Sequence, residues 1–192
     1  MKSIVQQKKQ VVVGIDEAGR GPLAGPMVIA AVFGMPVSKL SGIKDSKKLT
    51  PRAREVWYKT IIKHAKYKYV SVSHQAIDTM GLSAATKKAM VQLLENINPG
   101  KSEILLDGGL KAPTMYIQQT IIKGDERVPI IAAASIIAKV TRDRMMVRLA
   151  KKYPLYGFAL HKGYGTRVHC AAIKKYGLSP YHRKSFCKNI IS

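Results

Sequence analysis

Three short apolar runs in this chain each lead into an aspartate: VVVGID at Asp16, EILLD at Asp107 and TIIKGD at Asp125. Apolar runs this short, with β-branched residues and glycine or proline at their bounds, read as strands. Strands that share a direction bring their ends to one edge of a sheet, and α/β folds bind ligands outside such ends. The first acid is one of a pair, Asp16-Glu17, followed at once by Gly19-Arg20-Gly21. Crowded carboxylates raise one another's pKa, a cost that a bound cation removes. A glycine turn beside them lets a phosphate backbone come close. Two divalent ions about 4 Å apart on such acids activate a water and stabilise the leaving oxygen of a phosphodiester. Magnesium suits that role, since it is held by few carboxylates and keeps positions open for phosphate and water. Aspartate at one strand end is also ordinary turn chemistry, so the weight rests on the three together.

The charge balance agrees. The 192 residues carry 33 Lys+Arg against 11 Asp+Glu, a formal net charge of +22, with the basic residues spread along the chain. Distributed cations reward closely spaced phosphates through counterion release, so the expected partner is nucleic acid. A lysine-rich solvated surface is the bland alternative. Hydrophobic content of 46% and this length predict one domain, residues 1–192, with a substantial core. Cys170 and Cys187 are too few for a disulfide framework, and His169 beside Cys170 lacks the further ligands of a zinc site. MKSIVQQKKQ has no apolar h-region behind it, and Val128 to Ala138 falls well short of the roughly 20 residues that span a bilayer. The expectation is a soluble, reduced, cytoplasmic protein with no membrane contact.

Strands and helices alternate without a linker. Val11 to Ile15, Met27 to Phe33, Tyr67 to Ser73, Glu103 to Leu106 and Met115 to Ile122 read as strands. Thr50 as N-cap and Pro51 at the first helical position open a helix that places Val56, Trp57, Thr60, Ile61 and His64 on one face. Ser83 can cap a second, with a stripe of Ala85, Met90, Leu93, Leu94 and Ile97 that Pro99-Gly100 ends. Pro129 to about Lys152 is helical, and Thr166 caps a last helix stopping at Gly177.

The segment GIDEAGRGPLAGP resembles the signature of ribonuclease HII, the type 2 ribonuclease H. The match continues through KDSKKL at Lys44 to Leu49, LLDG at Leu105 to Gly108 and KGDERVPIIAAASIIAKVTRD at Lys123 to Asp143. It ends with YGFALHKGYGT at Tyr156 to Thr166 and HRKSF at His182 to Phe186. These motifs stand in family order and cover nearly the whole chain. The resemblance implies an α/β fold, a ribonuclease H-like mixed sheet flanked by helices with helical C-terminal elements. It implies an endonuclease that cleaves the RNA strand of RNA–DNA hybrids and single ribonucleotides embedded in duplex DNA. Cleavage would fall on the 5′ side of the ribonucleotide and leave 3′-OH and 5′-phosphate ends.

By the same resemblance, Asp16, Glu17, Asp107 and Asp125 match the family's metal-binding and catalytic acids, for two Mg²⁺ or Mn²⁺ ions. Gly19, Arg20 and Gly21 match a turn that senses the ribose 2′-OH and neighbouring phosphate through its backbone. Tyr164 matches the tyrosine that stacks on the sugar beyond the ribonucleotide, and Lys47 a phosphate contact. The expected state is a monomer. The sister family, ribonuclease HIII, normally carries a large N-terminal domain, and only about ten residues precede the first strand here. The competing reading is a non-catalytic basic nucleic-acid-binding protein on the same fold; the presence of all four acids favours the enzyme. Asp143 reads as a local ion-pair partner and Glu126 as solvent-facing. Asp45-Ser46 can simply begin a turn, and His161 and His182, without ligand spacing, read as structural or phosphate-facing.

Overall fold

Met27 to Phe33 is apolar at every position, which suits a strand covered on both faces rather than one with a solvated side. In the computed structural model, which describes residues 12–43 and 46–191, this segment is β2 (Met27–Phe33), with β1 (Val12–Ala18) beside it. After a short 3₁₀ turn at Val37–Lys39 come α1 (Pro51–His64), β3 (Lys66–Val72), α2 (His74–Met80) and α3 (Leu82–Ile97). β4 (Glu103–Asp107), β5 (Gln118–Ile121) and the one-turn helix α4 (Gly124–Arg127) follow. The long helix α5 (Pro129–Lys152) leads through a 3₁₀ turn at Pro154–Tyr156 to α6 (Phe158–His161), α7 (Arg167–Tyr176) and α8 (Lys184–Ile191).

The five strands form one mixed sheet in the order β3-β2-β1-β4-β5. β1, β4 and β5 are parallel, and β2 is antiparallel to both β1 and β3. Alternate residues of β2 enter different cores. Met27, Ile29 and Ala31 pack with Met90, Leu93 and Leu94 of α3, while Val28, Ala30 and Val32 pack with Ile131, Ala134 and Ile137 of α5. Each fully buried Ile or Leu in these layers contributes roughly 1.5–3 kcal/mol. Gly14 lets α5 lie directly on β1: a Cβ there would stand 2.4 Å from the Ile130 carbonyl oxygen.

Several predicted elements keep their place with altered bounds. The first strand continues through the acidic pair to Ala18, because Asp16, Glu17 and Ala18 pair with Ala30, Ile29 and Val28 of β2; Val11 lies outside the described residues. The strand predicted over Met115 to Ile122 is only Gln118–Ile121, so Asp125 stands in α4 and not at a strand end. β3 stops at Val72, since the Ser73 hydroxyl accepts from Ala76 N–H (3.1 Å) and caps α2, a helix the pattern does not announce. Thr50 and Pro51 open α1 as expected, but its buried face is Tyr58 and Ile61, and Val56 is exposed. α3 starts at Leu82 with Gly81 as its N-cap and no side-chain bond, so Ser83 is not the cap. Thr166 caps α7, which ends at Gly177, yet α8 follows it. No helix among the described residues is long and apolar enough to cross a membrane.

Candidate active site

Parallel pairing of β1, β4 and β5 sends their C-terminal ends to one edge, and the acids meet there. Carboxylate oxygens of Asp16, Asp107 and Asp125 lie within 4.8 Å of one another. Asp107, the last residue of β4, accepts through Oδ1 from the N–H groups of Gly124 (2.6 Å) and Asp125 (3.2 Å). That pair of bonds ties α4 to the end of β4 and carries Asp125 into the cluster. Gly124 permits the approach, because a Cβ would fall 2.7 Å from Ile131 Cδ1.

Asp16 is buried on the α5 side of the sheet. Two residues of strand from Gly14 and five of helix from Ile130 span similar lengths, about 7 Å each, so Ser135 comes level with Asp16. The Ser135 hydroxyl bonds to the Asp16 carboxylate and stands 2.8 Å from the Ser46 hydroxyl. Burial, then the neighbouring Glu17 and Asp107, hold the Asp16 carboxyl well above the usual range, and Ser135 offsets only part of this. Burial likewise raises Glu17, against the opposing charge of Arg20, whose Nη1 is 3.8 Å from Glu17 Oε1. Glu17 Oε2 is buried, with no hydrogen-bond partner among the described residues. Three converging carboxylates and an orphaned buried oxygen make an all-oxygen donor set suited to a hard divalent cation.

The lysine of the KDSK segment also reaches this cluster. Lys47 Nζ is 3.0 Å from Asp125 Oδ2, and Lys48 pairs with Glu126 at 2.6 Å. Asp45 lies outside the described residues.

Gly19, at φ +91°, turns the chain out of β1, and Arg20 and Gly21 are exposed. Against this loop lies the segment that carries Tyr164. Leu23 N–H donates to Gly163 O at 2.8 Å, and a Cβ on Gly163 would stand 2.5 Å from Ala24 O. One guanidinium touches both halves. The Arg142 carbon Cζ sits 5.6 Å from the Tyr164 ring, and its Nε lies 2.0 Å from where a Cβ of Gly19 would be. Tyr164 itself is 43% exposed, so its ring is open to a ligand rather than sunk in the core.

The family model described as Ribonuclease HII matches residues 13–189, a span that holds the acids, the glycine turn and Tyr164. The chain belongs to the ribonuclease HII family. It is accordingly a metal-dependent endoribonuclease acting on RNA–DNA hybrids. Ribonuclease HII of Coxiella burnetii is 45% identical over 177 residues, which cover 92% of this chain and 88% of the relative. That of Acetivibrio thermocellus is 48% identical over 192 residues, covering 99% and 75%. Among solved structures, the PCNA:RNase HII complex from Archaeoglobus fulgidus aligns with a TM-score of 0.79 at 28% identity, over 91% of this chain and 94% of that one. Ribonuclease H2 from Pyrococcus horikoshii OT3 gives 0.74 at 29%, over 94% and 97%.

Two residues of the ribonuclease HII motifs have roles that their charge conceals. Arg142 and Arg183 are buried, and among the described residues neither has a carboxylate as a hydrogen-bond acceptor. Arg142 donates to the carbonyls of Pro26 (2.8 Å), Ala24 (3.3 Å) and Lys162 (2.9 Å). Arg183 donates to those of Gly25, Arg20 and Gly19. In sequence both stand in basic stretches. Asp143 pairs with Lys139 (2.8 Å) and lies 4.0 Å from Arg54, a local partner as expected, though not of its two neighbours in sequence.

His161, His169 and His182 are buried and structural. Cys187 is buried and Cys170 half-buried, and burial pushes the Cys187 thiol up to about 11, which leaves it unreactive at neutral pH.

Proposed function

We propose that this ribonuclease H also cleaves at single ribonucleotides embedded in duplex DNA, on the 5′ side, leaving 3′-OH and 5′-phosphate ends. The observation that carries the reading is the docking of the Tyr164 segment on Leu23 and Ala24, directly after the Gly19-Arg20-Gly21 turn, with Arg142 lying against both Gly19 and the Tyr164 ring. The turn offers backbone groups to a 2′-OH with no side chain in the way, and the 2′-OH is what distinguishes RNA from DNA at one position. The exposed Tyr164 ring packs on the following sugar and favours deoxyribose, since a second 2′-OH would crowd it. Arg20 and Lys47 supply charge to the flanking phosphates.

Asp16, Glu17, Asp107 and Asp125 would hold two divalent ions, Mg²⁺ or Mn²⁺. When bound, such ions lower the pKa of a water and stabilise the leaving oxygen. The protein's own contribution is placement. Ser135 orients Asp16, the Asp107–α4 bonds fix Asp125, and Lys47 balances the cluster's charge.

Tyr164→Ala is expected to lose much of the activity on a single embedded ribonucleotide and less on a long RNA–DNA hybrid, where no junction is read. Rates on both substrates at equal metal, with cut positions mapped, check this. Equal losses would make Tyr164 a packing residue. Affinity for duplex is also expected to fall steeply with salt, with a log–log slope of about −0.9 per phosphate neutralised. A filter-binding series across ionic strength measures it. A slope near zero would remove the basic surface from the interface.

A further inference from the structure

Arg183 binds the Gly19-Arg20-Gly21 turn from its buried side. Its Nη2 donates to Gly19 O at 2.6 Å, its Nη1 to Arg20 O at 2.8 Å and its Nε to Gly25 O at 3.1 Å. In a trans peptide the carbonyl of one residue and the N–H of the next point in opposite directions. Drawing the carbonyls of Gly19 and Arg20 inward therefore aims the N–H groups of Arg20 and Gly21 outward. Both residues are exposed, and among the described residues neither N–H has a protein acceptor. Successive N–H groups presented in this way form a concavity for anionic or acceptor oxygens.

The grip is specific to arginine. Three donors in one rigid plane reach three carbonyls of a single loop, which a lysine's point charge cannot do. The backbone of the same segment holds the loop as well, by Arg183 N–H to Leu23 O (2.7 Å) and Gly25 N–H to Tyr181 O (2.9 Å). Burial and the neighbouring Arg142 push the Arg183 guanidinium down to about 10, which leaves it charged at neutral pH. Its positive charge lies beneath the outward N–H groups and strengthens them toward an acceptor.

We propose that Arg183 is a positioning residue for substrate reading: it sets the orientation of the Arg20 and Gly21 peptides, and through them the preference for a ribonucleotide at the cut site. This rests on the reading of the turn given under Proposed function. In the Asp107→Asn background, which is expected to bind without cutting, affinities are compared for a duplex with one ribonucleotide and the same duplex in DNA alone. Arg183→Met is expected to reduce the ratio of the two affinities by about tenfold, the value of roughly one hydrogen bond. Arg183→Lys should restore part of it.

The salt slope of binding and the Mg²⁺ affinity of the free protein, measured on the Asp107-intact chain, should stay at parental values. If Arg183→Met does not fold, Arg183→Lys carries the test, with a smaller expected loss. A folded Arg183→Lys protein with the full preference and parental chemical shifts for the Arg20 and Gly21 amides would overturn the proposal. A parent with no preference for the ribonucleotide would instead remove the reading of the turn, and this proposal with it.

Discussion

Replacing Asp107 by asparagine is expected to abolish cleavage while leaving duplex binding largely intact. Asparagine keeps the oxygen that accepts from Gly124 and Asp125, so α4 stays docked and the fold is preserved. What is lost is one negative charge at the point where carboxylates from β1, β4 and α4 come within 4.8 Å. Losing an ion's ligand there removes several kcal/mol of charge stabilisation in the transition state, on the order of a thousandfold or more in rate. Nothing negative is added to the basic surface, so the phosphate contacts persist. Without metal, the variant should melt slightly higher, through relief of repulsion between Asp107 and the raised carboxyls of Asp16 and Glu17. Cleavage close to the parental rate under saturating Mg²⁺ would remove Asp107 from the site.

Acid is expected to loosen the segment that presents Tyr164 before it affects the sheet. The hydrogen bonds assign neutral tautomers to three buried histidines. His182 Nδ1 accepts from Ser179 N–H (2.8 Å), so its Nε2 carries the proton shared with His169 Nε2 (3.0 Å). His169 Nδ1–H then donates to Tyr164 O (2.9 Å), and His161 Nδ1 accepts from Gly163 N–H. A further proton on His161 or His169 would meet a donor, and on His182 it would compete with Ser179 N–H, with the Ser179 hydroxyl (2.8 Å) and carbonyl (3.4 Å) as its acceptors. Burial first, and then the neighbouring rings, lower His182 to about 4, and burial lowers His161 and His169 as well.

The folded pKa of His182 is thus below its unfolded value near 6.5. Its contribution to stability is complete above that value and is lost as pH falls from about 6.5 toward 4, by roughly 3 kcal/mol in full. Asp16 and Glu17, raised by burial, act in the opposite sense over part of that range. Urea denaturation at pH 7 and pH 5 on the parent and on His182→Gln separates the two effects, since the carboxyls are common to both. The parent should lose more stability than the variant. Identical pH slopes would show that His182 does not titrate on unfolding.

The two parallel-strand acids were legible in the sequence because a strand has only one C-terminal end, and parallel neighbours must share an edge. Asp125 was legible as an acid and not as a position. It arrives through a one-turn helix fastened by Asp107, a contact between residues 18 apart that no local period encodes. α2 and α8 escaped for a similar reason. Seven and eight residues give too few turns for a stripe, and α8 is anchored by Asp78, which accepts from the N–H groups of Lys184 and Ser185. Arg142 and Arg183 were the least readable. In a chain with a net charge of +22, nothing local marks two arginines as buried, because their acceptors are carbonyls some 20 to more than 160 residues away.

Incubating the protein with a DNA duplex that contains one ribonucleotide, with Mg²⁺ and again with the ion chelated, tests the central claim most directly when both new ends are mapped. The expected result is one cut on the 5′ side of the ribonucleotide, with 3′-OH and 5′-phosphate ends, that disappears on chelation. Tight binding without any cut in Mg²⁺ or Mn²⁺, or cleavage that survives chelation, would contradict it.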